Sequence, residues 1–200
     1  ISAYLQEDNI LFSCDFFGSH LACNNLFVEN EELVYESAKR YYAEIMMPFR
    51  NIIRKNLEKI APLDIDIIAT SHGPIYDNPD FIINAYQDWV SDDVKNEVLV
   101  PYVSMHHSTK TMVEYFVQEL NERGINAIPF NLTVTDIGKL AIALVDAATI
   151  VVATPTVLTG AHPNVAYAVF LANALKPKTR FLSIIGSFGW GSRVIQQLSD

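Results

Sequence analysis

The chain has 200 residues, of which 50% are hydrophobic and 18% charged, so it can bury a sizeable core and is not disordered. Its formal net charge is −9 at pH 7 and it carries no basic cluster, which argues against nucleic acid or a membrane surface as a partner. No apolar run reaches the ~20 residues that a membrane-spanning helix needs, and the two cysteines, Cys14 and Cys23, are too few for a disulfide framework. These features predict a cytoplasmic protein with reduced thiols.

The first half predicts a hairpin, a long helix and a strand. Residues 2–5 and 10–13 are apolar runs on either side of a polar turn, which is typical of a β-hairpin. Apolar side chains then recur at helical spacing over residues 31–60, with a break expected at Pro48. Residues 65–70 form the next predicted strand.

A second helix and a polar joint close this half. Pro79 can occupy the first helical position, with Asn78 as the capping residue, and the apolar pattern continues to Trp89. Residues 91–97 are hydrophilic and predict a joint between two domains. The chain starts at Ile1 in a strand-like run and stops at Asp200 a few residues into a helix-like run, so we expect an internal piece of a longer protein.

The second half alternates strand and helix in strict order. The predicted strands are residues 98–103, 126–130, 149–154 and 181–185. The predicted helices are one that ends near Arg123, followed by residues 137–146 and 164–175. Alternation with buried Val- and Ile-rich strands predicts an α/β fold with a doubly wound parallel sheet, and a fifth strand is expected beyond Asp200. Gly124 stands where a helix C-terminal glycine belongs, whereas Pro101 in the first of these strands predicts a local bulge.

Three loops follow the first, third and fourth of these strands, and their ends should converge at one edge of the sheet. The first is rich in hydroxyl groups and opens a helix, an arrangement that favours a phosphate group. It lacks the glycine spacing of a dinucleotide site and the Gly-Lys-Ser/Thr ending of a P-loop, so it predicts a monophosphate ligand such as FMN. Its residues are Ser104, Met105, His106, His107, Ser108 and Thr109.

The other two loops combine glycines with aromatic or apolar side chains, which suits a flat ring that approaches the backbone closely. The candidate ring-binding residues of the second loop are Pro155, Thr156, Val157, Leu158, Thr159 and Gly160. Those of the third loop are Ser187, Phe188, Gly189, Trp190 and Gly191. Together the loops predict a site for a planar aromatic ligand that carries a phosphate.

Two further candidates lie at strand ends in the first half. Asp15 and His72 each follow a predicted strand, and a carboxylate with an imidazole is a suitable ligand pair for iron or zinc. On chemistry alone, a lone Asp and a lone His are more often surface residues, or residues satisfied by neighbours, than metal ligands. His20 could line the same cleft or lie at the surface, and Tyr41 could approach it or pack in a helix core.

The motifs resemble those of flavodiiron proteins, the A-type flavoproteins, in the same order along nearly the whole chain. In the first half the resemblance is carried by Leu11-Phe-Ser-Cys-Asp-Phe-Phe-Gly18, Tyr41-Tyr-Ala-Glu-Ile-Met-Met-Pro-Phe49 and Ser71-His-Gly-Pro-Ile75. In the second half it is carried by the three loops. It implies that residues 1–94 are the C-terminal portion of a metallo-β-lactamase-like diiron domain. Residues 95–200 would then be a flavodoxin-like FMN-binding domain that stops before its last strand.

The resemblance also implies a function and a set of cofactors. Electrons would pass from FMN to two non-haem iron ions, where O2 is reduced to water, NO to N2O, or both. Asp15 matches the bridging aspartate of the family and His72 its final histidine ligand. The other ligands are expected upstream of Ile1, so the segment alone should be inactive. The implied partners are a redox donor such as rubredoxin or a reduced deazaflavin, and a second copy in a head-to-tail homodimer or a dimer of dimers.

One position departs from the family pattern, and two alternative functions stay open. A glycine is the commoner residue at His107, so a different loop backbone is expected there, and the imidazole could add charge to the phosphate contact. A flavodoxin-like electron carrier would explain the second half but not Asp15 and His72. A zinc hydrolase of the metallo-β-lactamase type would explain the first half but not the three loops.

Overall fold

The computed structural model describes residues 1–199, which divide into two compact units, Ile1–Asp92 and Asp93–Asp200. Within residues 1–199, every helix is too short or too polar to span a bilayer.

The first unit contains a three-stranded sheet in the order β1-β2-β3. Strands β1 (Ala3–Leu5) and β2 (Ile10–Cys14) pair antiparallel, which confirms the predicted hairpin. Strand β3 (Ile67–Thr70) lies parallel to β2, with a register shift between Phe12 and Cys14. Because β2 and β3 run in the same direction, the residues that follow them leave the sheet at the same edge.

The helices of the first unit follow the predicted order. Helix α1 (Glu31–Tyr41) is followed by a π-helical turn at Tyr42–Met46 and a 3-10 turn at Met47–Phe49, and α2 (Arg50–Ile60) completes the segment. The expected break at Pro48 is confirmed, although it begins several residues earlier. The π-helical and 3-10 turns interrupt the regular α-helical hydrogen bonding between α1 and α2.

Helix α3 (Pro79–Val90) starts with proline at its first position, as predicted. Asn78 occupies the capping position, as predicted, but its side chain makes no capping hydrogen bond. Its amide Nδ2 instead donates to the Glu31 carboxylate at 3.3 Å. This long-range partner competes with the local one, and proline itself removes one of the N–H groups that would need a cap.

The core of the first unit is aromatic. The Tyr86 ring is fully buried and lies 4.9 Å from the ring of Phe17, 5.4 Å from that of Tyr42 and 5.1 Å from that of Trp89, between ring centroids. The first two of these contacts are edge-to-face, the geometry that aromatic pairs prefer. Burial of the phenol raises the pKa of Tyr86 well above its usual value, so it stays neutral.

The second unit is the predicted doubly wound α/β fold. Its parallel strands are β4 (Lys95–Tyr102), β5 (Asn126–Asn131), β6 (Ala147–Val157) and β8 (Phe181–Ser187), in the spatial order β5-β4-β6-β8. The helices are α4 (Ser108–Glu122), α5 (Ile137–Leu144), α6 (Pro163–Leu175) and α7 (Val194–Ser199). Gly124 follows α4 with a φ of 74°, which confirms the predicted helix-terminating glycine.

Three details of the second unit differ from expectation. Pro101 causes no bulge, because β4 keeps one register with β5 from Glu97 to Tyr102, and the irregularity against β6 lies between Lys95 and Val98. The proline removes one donor without moving the strand. Part of the predicted polar joint is strand, since the Lys95 N–H donates to the Asp146 carbonyl at 2.8 Å. A two-residue strand, β7 (Gly160–Ala161), turns back antiparallel on β6 and had no signal in the sequence.

Candidate functional site

The order of strands in the second unit places its candidate site between β4 and β6. The chain leaves β4 toward β5 on one side, and β6 lies on the other side of β4. In open parallel sheets this reversal creates a crevice at the carboxyl ends of the strands, where ligands bind. The loops after β4, β6 and β8 all leave the sheet at that end.

The loop after β4 presents a set of hydrogen-bond donors. Ser104 Oγ accepts a hydrogen bond from the Lys110 N–H at 3.1 Å, which folds the loop back over the first turn of α4. That turn contains no acidic residue. Thr109 is fully buried in it, and its Oγ1 has no hydrogen-bond partner. A buried hydroxyl without a partner is costly, so an anion held at this helix N-terminus would satisfy it.

His107 precedes α4 with a φ of 65° and a ψ of −19°. This left-handed conformation is the one that glycine adopts readily, so the expectation of a different loop backbone is wrong. The carbonyl of His107 accepts hydrogen bonds from both the N–H and the hydroxyl of Thr111, at 2.9 and 3.1 Å. These bonds hold a histidine in a conformation that costs it about 1–2 kcal/mol.

The loop after β6 is a tight turn with two residues at positive φ, Leu158 at 50° and Thr159 at 70°. The Leu158 side chain is 95% exposed. After this turn, β7 pairs back on the end of β6 through Thr156 with Ala161 and Val157 with Gly160.

The loop after β8 begins where the backbone of β8 approaches β6 closely. A Cβ atom on Gly186 would lie 2.3 Å from the Thr154 carbonyl oxygen, so only glycine fits at this position. Beyond it, Phe188 is 68% exposed and Trp190 97% exposed. Large apolar side chains exposed together are typical of a binding surface.

The three loops meet around one cleft of about 420 Å³. Its lining residues, all of them candidates from the sequence, are Met105, His106, Ser108, Pro155, Thr156, Val157, Leu158, Ser187, Phe188 and Gly189. An adjoining cleft of about 540 Å³ is lined by Thr156, Leu158, Thr159, Gly189, Trp190 and Gly191. The remaining candidates, Ser104, His107, Thr109 and Gly160, line neither cleft. The residues present fit a flat apolar ring with a phosphate at the N-terminus of α4.

The edge of the first sheet brings Asp15 and His72 together. Asp15 follows β2 after Cys14, whose φ of 57° turns the chain out of the strand, and His72 follows β3. Asp15 Oδ1 and His72 Nε2 are 3.2 Å apart, with both side chains partly exposed. The two side chains therefore make a direct ion-pair or hydrogen-bond contact, and a carboxylate and an imidazole this close could supply two ligands to one metal ion.

Backbone contacts fix the two loops that carry this pair. The Ser71 N–H donates to the Cys14 carbonyl, and the Ser19 N–H donates to the His72 carbonyl, each at 2.9 Å. Gly73 has a φ of 89°, and a Cβ atom there would lie 2.1 Å from Ser19 Oγ. The glycine therefore allows the loop after β3 to lie against the loop after β2. Sequence reasoning quoted Gly73 within a motif but did not recognise this role.

His20 and Tyr41 lie beside the pair. The His20 ring is 4.7 Å from the Tyr41 ring and 5.6 Å from the His72 ring, between centroids. Tyr41 is 3% exposed, and burial, followed by the charges of Asp15 and Cys14, raises its pKa. The phenol is therefore neutral at physiological pH and can donate a hydrogen bond. Both rings therefore lie beside the Asp15–His72 pair, and Tyr41 is at the same time a buried residue of α1.

Asp15 and His72 do not form a complete metal site by themselves. Among residues 1–199, no group of three or more His, Cys, Asp or Glu side chains could hold a metal ion together. The chemistry of the pair suits iron or zinc, but two donors leave most coordination positions open.

Known proteins resemble this chain in both sequence and fold. Residues 1–73 match a family model described as the ODP family beta lactamase. The nitric oxide reductase of Moorella thermoacetica is 32% identical over 193 residues, which are 94% of this chain and 48% of that protein. The flavodiiron protein of Giardia intestinalis has a TM-score of 0.89 at 27% identity and covers 97% of this chain and 49% of its own. Rubredoxin oxygen:oxidoreductase of Desulfovibrio gigas shares the fold, with a TM-score of 0.93 at 24% identity over 99% of this chain and 51% of its own.

These similarities identify the two folds. The first unit is the later part of a metallo-β-lactamase-like domain, and the second is flavodoxin-like. The chain belongs to the flavodiiron proteins. It spans about half the length of the curated relatives that it matches.

Proposed function

We propose that this chain is part of a flavodiiron oxidoreductase that passes electrons from FMN to a non-haem diiron centre and reduces O2 to water, NO to N2O, or both. The observation that carries the proposal is the Asp15–His72 pair, 3.2 Å apart at the ends of two parallel strands. A flavodoxin-like electron carrier works with flavin alone and would not need a pair of metal ligands. The activities named for two relatives, nitric oxide reductase and rubredoxin oxygen:oxidoreductase, support both substrates.

FMN is proposed to bind in the second unit. The N–H groups at the start of α4, with the hydroxyls of Ser108 and Thr109, would hold the phosphate. The unpartnered Oγ1 of Thr109 supports this assignment, since it needs an acceptor or donor that the protein does not supply. Residues of the loops after β6 and β8 would border the ring, and exposed Phe188 and Trp190 would supply apolar faces or edges.

Iron is proposed to bind in the first unit, with Asp15 and His72 supplying two of its ligands. In this role FMN supplies one- or two-electron transfer, and the two irons supply open coordination positions for a small gas. The chain itself positions these groups: the bonds from Ser71 and Ser19 fix the loops of the two proposed ligands, and the neutral phenol of Tyr41 offers a hydrogen-bond donor beside them. The remaining ligands are proposed to come from outside residues 1–199.

The proposed partners follow from the same assignment. Rubredoxin or a reduced deazaflavin would deliver electrons, in the cytoplasm. We also propose a head-to-tail homodimer, or a dimer of such dimers, in which the flavin of one subunit serves the irons of the other.

Mixing the Asp15→Ala variant with the Ser108→Asp variant, whose new carboxylate would repel the phosphate, tests this arrangement. After random subunit exchange, half of the dimers would contain one subunit of each variant, and each of these would have one intact flavin–iron pair out of two. The mixture should therefore regain about a quarter of wild-type activity. No recovery after verified subunit exchange would exclude transfer between subunits.

The experiment that tests the function uses the intact purified protein. FMN, iron and zinc are quantified. The protein is then chemically reduced under anaerobic conditions and mixed with buffer that contains NO or O2. The proposal predicts one FMN and two irons per subunit with rapid consumption of at least one gas. Zinc without flavin would instead indicate a hydrolase, and flavin without iron or gas consumption would indicate an electron carrier.

A further inference from the structure

The loop after β6 is fastened to the segment that leads into α7 by a group of hydrogen bonds, here called the clasp. Thr156 Oγ1 bonds to Ser192 Oγ at 3.1 Å, and the Arg193 N–H donates to the Thr159 carbonyl at 2.6 Å. Gln197 Oε1 accepts from the Ala161 N–H at 2.8 Å. Each bond joins the wall of the cleft formed after β6 to residues that follow the wall formed after β8.

Gln197 is the member of the clasp with the most specific contact. Strand β7 has two residues and pairs with β6 along one edge, so its other edge needs a partner. Ala161 is buried, and the Gln197 side chain supplies the acceptor for its N–H. Replacing Gln197 by an apolar side chain of similar size would leave this partly buried donor without its acceptor, at a cost of about 1 kcal/mol or more.

Close packing limits the space around this contact. A Cβ atom on Gly160 would lie 2.6 Å from Gln197 Oε1. Gly160 has no positive φ, so its absence of a side chain serves the approach of Gln197 rather than the backbone conformation.

The loop that the clasp holds is strained. Leu158 and Thr159 both have positive φ, and a non-glycine residue in that region costs of order 1 kcal/mol or more. Such a turn persists only where the surrounding structure fixes it. Its residues Thr156, Val157 and Leu158 line the cleft together with Ser187 and Phe188.

We propose that Gln197 is a positioning residue that holds the loop after β6 at a fixed distance from the loop after β8, so that the two walls of the cleft are set for a flat ring before it binds. The existence of the clasp stands on the contacts alone, and only its consequence for flavin rests on the proposed function. The acceptor, not the amide, is the required group, because the Ala161 N–H needs one oxygen.

Three variants of the intact protein test this role. Gln197→Leu removes the acceptor at similar size, Gln197→Glu keeps it, and Gln196→Leu is the matched control on the exposed neighbour. Gln197→Leu should weaken FMN and riboflavin by the same factor, about tenfold, because the ring wall and not the phosphate loop is altered. Its visible circular dichroism from bound flavin should also change. Gln197→Glu and Gln196→Leu should behave as wild type.

A readout without flavin separates the two proposals. Amide hydrogen exchange at residues 157–161 in the flavin-free protein should accelerate in Gln197→Leu but not in the other two variants. Gly160→Ala should reproduce this acceleration, because the new methyl group would displace Gln197. The double variant Gly160→Ala/Gln197→Ala should exchange little faster than Gln197→Ala, since both changes remove the same contact. Unchanged exchange and flavin affinity in Gln197→Leu, or equal weakening in Gln197→Glu, would overturn the inference. A wild-type protein that binds no flavin would overturn the proposed function, and exchange alone would then decide the clasp.

Discussion

The two candidate sites differ in how completely the described residues supply each one. Around the flavin cleft, loops from three strands of one sheet line a common space, and every lining residue lies within 105–189. At the Asp15–His72 pair, which we propose binds iron and call the metal pair, two strand ends contribute one side chain each, and residues 1–199 contain no group of three or more candidate ligands. A doubly wound sheet gathers its ligand loops by its topology alone. A metal site instead needs a complete set of donors, whichever segments supply them.

The difference also lies in how each site is held before its ligand arrives. The metal pair is fixed by backbone bonds between the two loops and by the approach of Gly73 to Ser19. The flavin cleft depends on strained turns at His107, Leu158 and Thr159. The predictions that follow test each side separately, with controls that leave the other side intact.

The largest expected effect is at the metal pair. Asp15→Ala in the intact protein should lower the iron content to background while FMN content and its reduction by a donor stay unchanged, because the carboxylate belongs to one unit and the flavin loops to the other. Metal and flavin analysis of the purified variant measures both. Asp8→Ala, an exposed carboxylate in the turn between β1 and β2, is the control. Normal iron stoichiometry in Asp15→Ala would exclude the ligand assignment.

The next effect concerns the loop after His72. Gly73→Ala should destabilise the protein by about 2–3 kcal/mol, because the new methyl group combines positive φ with a clash at Ser19. Denaturant unfolding measures this change, and iron content should fall with it. Gly124→Ala is the matched control, since its φ of 74° is similar but no atom lies within 4 Å of a Cβ there. Equal costs in the two variants would show that the Ser19 contact is unimportant.

A smaller effect is expected at the loop after β4, where one substitution should weaken FMN binding without destabilising the flavin-free protein. Thr109→Val keeps the shape of the side chain and removes its unpartnered hydroxyl. It should weaken FMN by about fivefold to tenfold, corresponding to roughly 1 kcal/mol, yet leave the flavin-free protein as stable or more stable. Riboflavin, which lacks the phosphate, should bind both proteins equally. Replacing Ser108 together with Thr109 by Ala should weaken FMN further. Loss of riboflavin affinity would place Thr109 at the ring instead.

The smallest effect is expected at His107. His107→Gly should raise the free energy of unfolding of the flavin-free protein by about 0.5–1 kcal/mol, because glycine adopts the left-handed conformation without the cost borne by histidine. Thermal unfolding measures the change. A loss of stability would show that contacts of the imidazole outweigh the strain of its backbone.

Features that depend on local pattern were predictable, and those that depend on distant partners were not. Apolar strands in strict alternation with helices predicted the sheet, and therefore the convergence of the three loops. The capping hydrogen bond expected from the Asn78 side chain does not form, because this side chain instead bonds to Glu31, 47 residues away. The clasp and β7 had no signal, since glutamine on a short helix says nothing about which N–H it will meet. Asp15 and His72 could be paired because both follow strands and because each matches a ligand motif of the family that the sequence resembles.

The rate at which reduced FMN is reoxidised by NO in the intact protein tests the central claim most directly. Stopped-flow absorbance follows the flavin after anaerobic reduction and mixing, in wild type and in Asp15→Ala. Our account predicts rapid reoxidation in the wild type and flavin that stays reduced in the variant, because the electrons have no iron centre to enter. Equally rapid reoxidation in both proteins would show that the flavin reacts without the metal pair and would contradict the account.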